Sequence, residues 1–153
     1  MSTTTTAPEL LDTRQRGDAR AVAVAHRAGA VPVARRAITA DVAERVDAEL
    51  AHEVSVVASE LLGNALRHAR PDESGRVLLR WQVRGEVVDV EVTDGGSPQE
   101  VRPQRPGPMA TSGRGLRIVR ALAHEWGVVE DEEGRRTVWA ALGGPTRRRR
   151  PVA

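Results

Sequence analysis

Two pairs of predicted β-strands, each joined by a short turn that contains glycine, constrain the fold of this chain more than any other feature. The stretches 75–84 and 86–93 read as strands that meet at Gly85, and residues 127–142 predict a second hairpin that turns at Glu133-Gly134. Parallel strands need a connection of about a dozen residues or more. The two hairpins therefore argue against an all-parallel sheet.

The remaining segments predict one more strand and three helices, in the order β-α-α-β-β-α-β-β. The strand covers residues 20–27, and the helices cover residues 30–50, 52–69 and 115–126. This order predicts an α+β fold, a two-layer α/β sandwich in which helices cover one face of a mixed, mostly antiparallel sheet. We expect one domain over residues 19–142, a flexible arm at 1–18 and a flexible Arg-rich tail at 143–153.

Four amino acids are absent from the chain, and the absence of cysteine and lysine excludes several kinds of chemistry. The chain has no cysteine, which excludes disulfides, zinc fingers and cysteine nucleophiles and fits a reducing cytoplasm. All 23 of its Lys+Arg residues are arginine, so a P-loop, the common protein-kinase fold and lysine Schiff-base chemistry are excluded. Phe and Tyr are also missing, so we expect a core of Val, Leu, Ala and Ile with Trp81, Trp126 and Trp139 as its only large rings.

Charge and hydropathy limit the partners. The formal net charge is only +2, and the run Arg147 to Arg150 has no aromatic neighbours, so we expect a solvated tail and no nucleic-acid interface. We find no signal peptide and no apolar run of membrane-spanning length, so no membrane partner is expected.

The stretch "ELLGNALRHA" (60–69) carries polar residues at the edge of an apolar helix face. At 100° per residue, Glu60 and Asn64 lie on the shoulder of that face, and His68 continues the same edge one turn later. A shoulder is where a helix borders a cleft. The alternative is a solvated i,i+4 pair without function.

Two glycine-rich stretches follow further along the chain. In "VTDGGSP" (92–98), Asp94 ends a strand, and glycines beside it would let a flat ligand approach the backbone; an ordinary Asp-Gly turn is the alternative. In "TSGRGLRIV" (111–119), glycines open a helix whose free N–H groups suit a phosphate. A flexible loop with an N-cap at Thr111 or Ser112 is the alternative there, and a dinucleotide-binding fingerprint fits poorly, because no strand precedes it.

Taken together and in this order, the three stretches resemble the N, G1 and G2 boxes of the GHKL (Bergerat-fold) ATPases. Within that superfamily, "SELLGNALRHA", "SGRGLRIVRALAHEWGV" and "GRRTVWAAL" are most similar to the small stand-alone anti-sigma-factor serine/threonine kinases. The resemblance covers roughly residues 20–142.

The resemblance implies ATP and Mg²⁺ as cofactors and gives roles to the helix residues. Asn64 would ligate Mg²⁺ through its amide oxygen. Glu60 would be the general base that takes the proton from the attacking hydroxyl. His68 would belong to the same nucleotide-binding edge.

The resemblance also implies the contacts of the nucleotide itself. Asp94 would accept a hydrogen bond from the adenine amine, Gly96 would let adenine approach, and Thr137 would support adenine through a water. Four consecutive residues would wrap the phosphates with their backbone amides: Gly113, Arg114, Gly115 and Leu116.

Three classes of function stay open. The first is an anti-sigma factor and kinase, which binds a sigma factor and phosphorylates a Ser of an anti-anti-sigma (antagonist) protein. The second is a binding module that holds ATP without turnover and sequesters a partner. The third, a histidine-kinase catalytic domain, is weak, because the residues before the N box are too few for a dimerising helix pair. Monomer and homodimer both remain open.

Overall fold

The computed structural model describes residues 19–96 and 114–144 and confirms the predicted order of elements. A single 3-10 turn at Ala28–Ala30 precedes the first helix. The strands and helices are β1 (Ala19–Ala25), α1 (Val31–Ala43), α2 (Ala48–His68), β2 (Arg76–Arg84), β3 (Val87–Asp94), α3 (Arg114–Leu122), β4 (Glu125–Glu130) and β5 (Arg136–Gly143).

The five strands form one sheet in the order β1-β2-β3-β5-β4, and all four pairings among the described residues are antiparallel. The two hairpins turn where the glycines predict. Gly85 has a φ of 61°, a left-handed conformation that glycine adopts at little cost. In the second turn, the Asp131 carboxylate accepts hydrogen bonds from the backbone N–H groups of Glu133 and Arg135, at 3.0 and 2.9 Å. The α+β sandwich is therefore confirmed, with a wholly antiparallel sheet in this part of the chain.

The hydrophobic core lies between the helices and one face of the sheet, and α2 is its central element. This helix packs on β3 and β5 and also contacts the other two helices. Its buried apolar residues face alternate residues of the central strands, as the period of each element requires. Burial of each such Leu or Val side chain contributes roughly 1.5–3 kcal/mol. The most deeply buried residues include Ile38, Val54, Val57, Leu61, Leu62, Val77, Leu79, Val88, Val90 and Leu142.

The predicted boundary between the first two helices is wrong. The first helix ends at Ala43, and the second begins at Ala48, earlier than the predicted residue 52. Asp47 is the N-cap of α2, because its side chain accepts a hydrogen bond from the Leu50 N–H at 2.8 Å. The third helix is also shorter than predicted and ends at Leu122, so that Trp126 belongs to β4.

The second face of the sheet carries polar residues and one of the three tryptophans. Arg80 and Glu91 lie opposite each other on β2 and β3, both buried, with 3.8 Å between Nη1 and Oε1. Trp139 also lies on this face, directly over Gly127, where a Cβ would approach the indole Nε1 to 2.9 Å. Trp139 is therefore half-buried and outside the main core, contrary to prediction, whereas Trp81 lies within it.

The predicted arm, residues 1–18, lies outside the described residues, and so does the predicted tail except for its first two residues. Gly143 is the last residue of β5, so the sheet extends one residue into the predicted tail. Among the helices of the described part, none combines the length and apolar character that crossing a membrane requires.

Candidate functional site

The edge of α2 carries three polar residues at intervals of four, and the middle one is buried. Asn64 is only 3 % exposed, and its Oδ1 is buried without a hydrogen-bond partner. Glu60 is half-buried one turn earlier, and in the described part of the chain no hydrogen bond or ion pair engages its carboxylate. The expectation that both residues lie at the rim of the apolar face holds for Glu60 but is wrong for Asn64.

The burial of Asn64 argues against one of the two interpretations of this pair, the solvated contact. A solvated i,i+4 contact requires two exposed side chains, and the pair makes no hydrogen bond that would replace the lost solvent. A buried amide oxygen without a partner costs free energy, so such an atom calls for an explanation. One explanation that fits the chemistry of an amide oxygen is that Oδ1 is a ligand for a hard cation.

Asp94 ends β3 on the face of the sheet that the helices cover. Its side chain is 1 % exposed, and its Oδ1 accepts a hydrogen bond from the Gly96 N–H at 2.7 Å. Burial raises the pKa of Asp94, while the positive charge of Arg136 and the Gly96 N–H act in the opposite direction without cancelling it. The carboxyl group is thus fixed in orientation by a backbone bond and kept away from bulk water.

Arg136 is a site residue that the sequence did not indicate. It stands opposite Asp94 in the β3–β5 register, so that the two side chains share a face. Its Nη2 lies 3.6 Å from Asp94 Oδ2, and the side chain is only 4 % exposed. The Nε and Nη2 atoms are buried and have no hydrogen-bond partner. Its position two residues after the turn glycine Gly134 is the only signal that could have pointed to it.

Thr137 does not share the face of Asp94. Consecutive strand residues point to opposite faces, and Thr137 pairs with Thr93, whose hydroxyl is 2.7 Å from its own. The hydroxyl of Thr137 thus has a partner on the face opposite Asp94, and its role beside adenine through a water stays a prediction. Arg136, one residue earlier, occupies the position next to Asp94.

The glycines after Asp94 are needed for close packing of the backbone. Gly95 and Gly96 exchange hydrogen bonds with Arg70, at 2.7 and 2.8 Å. Gly96 has a φ of +91°, and a Cβ there would collide with the carbonyl oxygen of Gly134. Glycine is thus required at this position for a structural reason, which is independent of the predicted approach of adenine.

His68 is the last residue of α2. Burial lowers its pKa, and the positive charges of Arg67 and Arg136 lower it further. The side chain is half-buried and forms no hydrogen bond within the described residues. His68 is therefore close enough to the Asp94–Arg136 ion pair to respond to the charge of Arg136.

The predicted phosphate-binding segment is only partly described. Gly113 lies outside the described residues, and Arg114 and Gly115 are the first two residues of α3. The side chain of Leu116 is buried, 4 % exposed, so it anchors the start of this helix in the hydrophobic core. Phosphate binding by the backbone amides of these four residues stays a prediction.

No cluster of three or more His, Asp or Glu side chains that could hold a metal alone occurs within residues 19–96 and 114–144. A Mg²⁺ ion keeps several waters and is commonly bound by one or two protein oxygens together with phosphates of a substrate. The single orphaned Oδ1 of Asn64 fits this kind of site. A groove of about 470 Å³ lies near the turns that follow α2 and β4. Of the candidate site residues in the described part of the chain, it is lined by Gly95.

The comparisons with known proteins identify the family of this domain. The family model described as the histidine kinase-like ATPase domain matches residues 24–142, which is most of the chain and includes α2, β3 and β5. A search of curated proteins found no match to this chain.

Proposed function

We propose that this chain, which belongs to the histidine kinase-like ATPase domain family, is an ATP- and Mg²⁺-dependent serine/threonine protein kinase that acts by partner switching. Membership of the family implies a domain that binds ATP. The protein substrate, the metal and the regulatory role are the parts that we propose here.

The observation that carries the proposal is the buried, unpartnered Oδ1 of Asn64. A hard cation such as Mg²⁺ prefers oxygen ligands, and a neutral amide oxygen can contribute one without adding charge. We propose that Asn64 holds Mg²⁺ together with ATP phosphates and water. When bound there, the ion would neutralise charge on the phosphates.

The nucleobase would lie against the end of β3. The Asp94 carboxyl group is buried and oriented by the Gly96 N–H, and it keeps acceptor capacity for the 6-amine of adenine. The phosphates would then extend toward α2 and the start of α3, where free N–H groups of the first turn favour anions.

Glu60 would serve as the general base of phosphate transfer. Its carboxylate is half-buried and has no protein partner in the described residues, so it is free to accept a proton. A Ser Oγ of the substrate protein would form a bond to the γ-phosphorus as the bond from that phosphorus to the ADP oxygen breaks. The hydroxyl proton would go to Glu60.

The proposed partners follow from the resemblance of three segments to the anti-sigma-factor kinases: "SELLGNALRHA", "SGRGLRIVRALAHEWGV" and "GRRTVWAAL". We propose a sigma factor as the sequestered partner and an anti-anti-sigma protein as the phosphorylated one. A cytoplasmic location would follow from these partners.

The experiment that tests this proposal is incubation of the purified protein with labelled ATP, Mg²⁺ and candidate anti-anti-sigma proteins from the same genome. We expect one serine of one candidate to be phosphorylated, as mapped by mass spectrometry. Glu60→Gln should reduce the transfer by ~10²–10⁴-fold, the usual contribution of a general base. The matched control is Glu44→Gln, which removes an exposed carboxylate just after α1 and should leave the rate unchanged.

Two results would count against the kinase. If ATP binds but no candidate is phosphorylated and Glu60→Gln changes nothing, the protein is a nucleotide-holding module that acts by sequestration. If the Glu44→Gln control lowers transfer as much as Glu60→Gln, the effect reflects general charge and does not identify a base.

A further inference from the structure

Arg136 is buried in a way that its ion pair with Asp94 does not fully explain. The guanidinium group has five N–H donors and no acceptor. Its Nη2 lies 3.6 Å from Asp94 Oδ2, which is longer than a hydrogen bond. Nε and Nη2 are both shielded from solvent without an acceptor.

Buried donors without acceptors destabilise a fold, so each one calls for an explanation, and a ligand that completes it is one such explanation. Arg136 lies directly beside Asp94 on the helix-covered face of the sheet. The two side chains together present an acceptor and an unsatisfied donor next to each other.

An adenine base presents the complementary pair along its edge. Its 6-amine donates, and a ring nitrogen on either side of that amine, N1 or N7, accepts. We propose that Arg136 is a specificity residue of the nucleotide site, which donates a hydrogen bond from its guanidinium to the ring nitrogen beside the amine that Asp94 binds. This inference rests on the proposed binding of ATP at this site.

The inference differs from a purely structural role for Arg136. A structural partner of Asp94 would neutralise the carboxylate in the same way whatever base is bound. A donor to the base discriminates between nucleotides that differ by a single ring atom, because a buried donor left without its acceptor is costly.

The test uses three nucleotides with the intact protein: ATP, 1-deaza-ATP and 7-deaza-ATP, in which one ring nitrogen is replaced by CH. Affinities are measured by calorimetry. We expect one of the two analogues to bind wild-type protein about tenfold to a hundredfold more weakly than ATP, as the loss of a hydrogen bond to a charged donor predicts. The other analogue should bind like ATP and thereby identify which nitrogen is contacted.

Variants then assign the donor. In Arg136→Met, the sensitive analogue and ATP should bind equally, because no donor remains to distinguish them. Arg136→Gln keeps an N–H donor and should restore part of the difference. The matched control is Arg135→Met, the preceding residue, which is 46 % exposed, pairs with Asp131 and should behave like wild type.

Each other outcome overturns the inference in a recognisable way. If wild-type protein binds ATP and both analogues equally, Arg136 is only the ion-pair partner of Asp94, and the proposed function still stands. If the preference for ATP persists unchanged in Arg136→Met and Arg136→Gln, another group makes the contact. If wild-type protein binds no ATP, the proposed function fails, and this inference fails with it.

Discussion

Replacement of Asn64 by leucine should make the nucleotide-free protein more stable while strongly reducing its stabilisation by ATP and Mg²⁺. Oδ1 of Asn64 is buried without a partner, and such an atom costs about 1–3 kcal/mol of folding free energy. Leucine has a similar branched shape and no polar atom. Allowing for imperfect packing, we expect the free energy of unfolding to rise by about 1–2 kcal/mol in Asn64→Leu.

The assay is calorimetric thermal unfolding with and without ATP and Mg²⁺. In the absence of nucleotide, the Tm of Asn64→Leu should exceed that of wild type by about 3–6 °C, at roughly 3 °C per kcal/mol for a domain of this size. Nucleotide at about 100 times its Kd should add about 2.7 kcal/mol to wild type and much less to the variant. The order of the two Tm values should therefore reverse when ATP and Mg²⁺ are added.

The matched control is His52→Leu, which places the same side chain at an exposed position of the same helix. We expect its stability to stay within about 0.5 kcal/mol of wild type, with a full response to nucleotide. A Tm of Asn64→Leu well below wild type would contradict the argument, because it would make Asn64 a residue that supports the fold. A full nucleotide response in that variant would remove Asn64 from the metal site.

Four further outcomes follow from the site. Asp94→Asn should weaken ATP binding about tenfold in calorimetric titrations, because the amide can turn a donor toward the adenine amine, and an unchanged affinity would remove Asp94 from the adenine site. Burial raises the pKa of Asp94, so ionisation of this carboxyl group opposes folding. In urea unfolding, wild type should therefore lose stability relative to Asp94→Asn as the pH rises from about 3.9 through the raised pKa. The opposite slope would refute the burial argument. The pKa of His68 is lowered, so its protonation opposes folding. In the same urea assay, the stability of wild type relative to His68→Gln should fall as the pH drops below about 6.5. A stability difference between the two proteins that does not change with pH would contradict this. Gly96→Ala should lower the free energy of unfolding by roughly 2–4 kcal/mol, because a Cβ at its φ of +91° meets a backbone carbonyl. Gly134→Ala should lower it by only about 1–2 kcal/mol, because Gly134, at a φ of +88°, faces open space. Denaturant unfolding that ranks the two variants the other way would contradict the packing argument.

The sequence predicted the order of elements because the local signals agree with the tertiary structure. The hairpin turns at Gly85 and Glu133-Gly134, and the apolar face of α2, are all fixed by spacing within short segments. The boundary between α1 and α2 was misplaced for a physical reason. Val42, Val46 and Leu50 continue an apolar stripe at intervals of four across the break, and this period hid the capping signal of Asp47.

The helix part of the site was easier to predict than the part on β5. Glu60 and Asn64 follow from the edge of a helical face, although the depth to which Asn64 is buried depends on how α2 packs against the sheet. On β5, a shift of one residue moves a side chain to the other face. The sequence alone therefore singled out Thr137 and not Arg136, and the β3–β5 register is what places Arg136 opposite Asp94.

The central claim is that Asn64 holds the metal of a nucleotide site in which Glu60 is the base, and one set of titrations tests it most directly. ATP affinity is measured by calorimetry with Mg²⁺ and with a chelator for wild type, Glu60→Gln and Asn64→Ala. We predict that Glu60→Gln binds ATP with Mg²⁺ as wild type does, whereas Asn64→Ala loses the part of the affinity that depends on Mg²⁺ and keeps most of the metal-free binding. Identical behaviour of the two variants, with Mg²⁺ dependence unchanged from wild type, would contradict the account, as would a wild-type protein that binds no ATP.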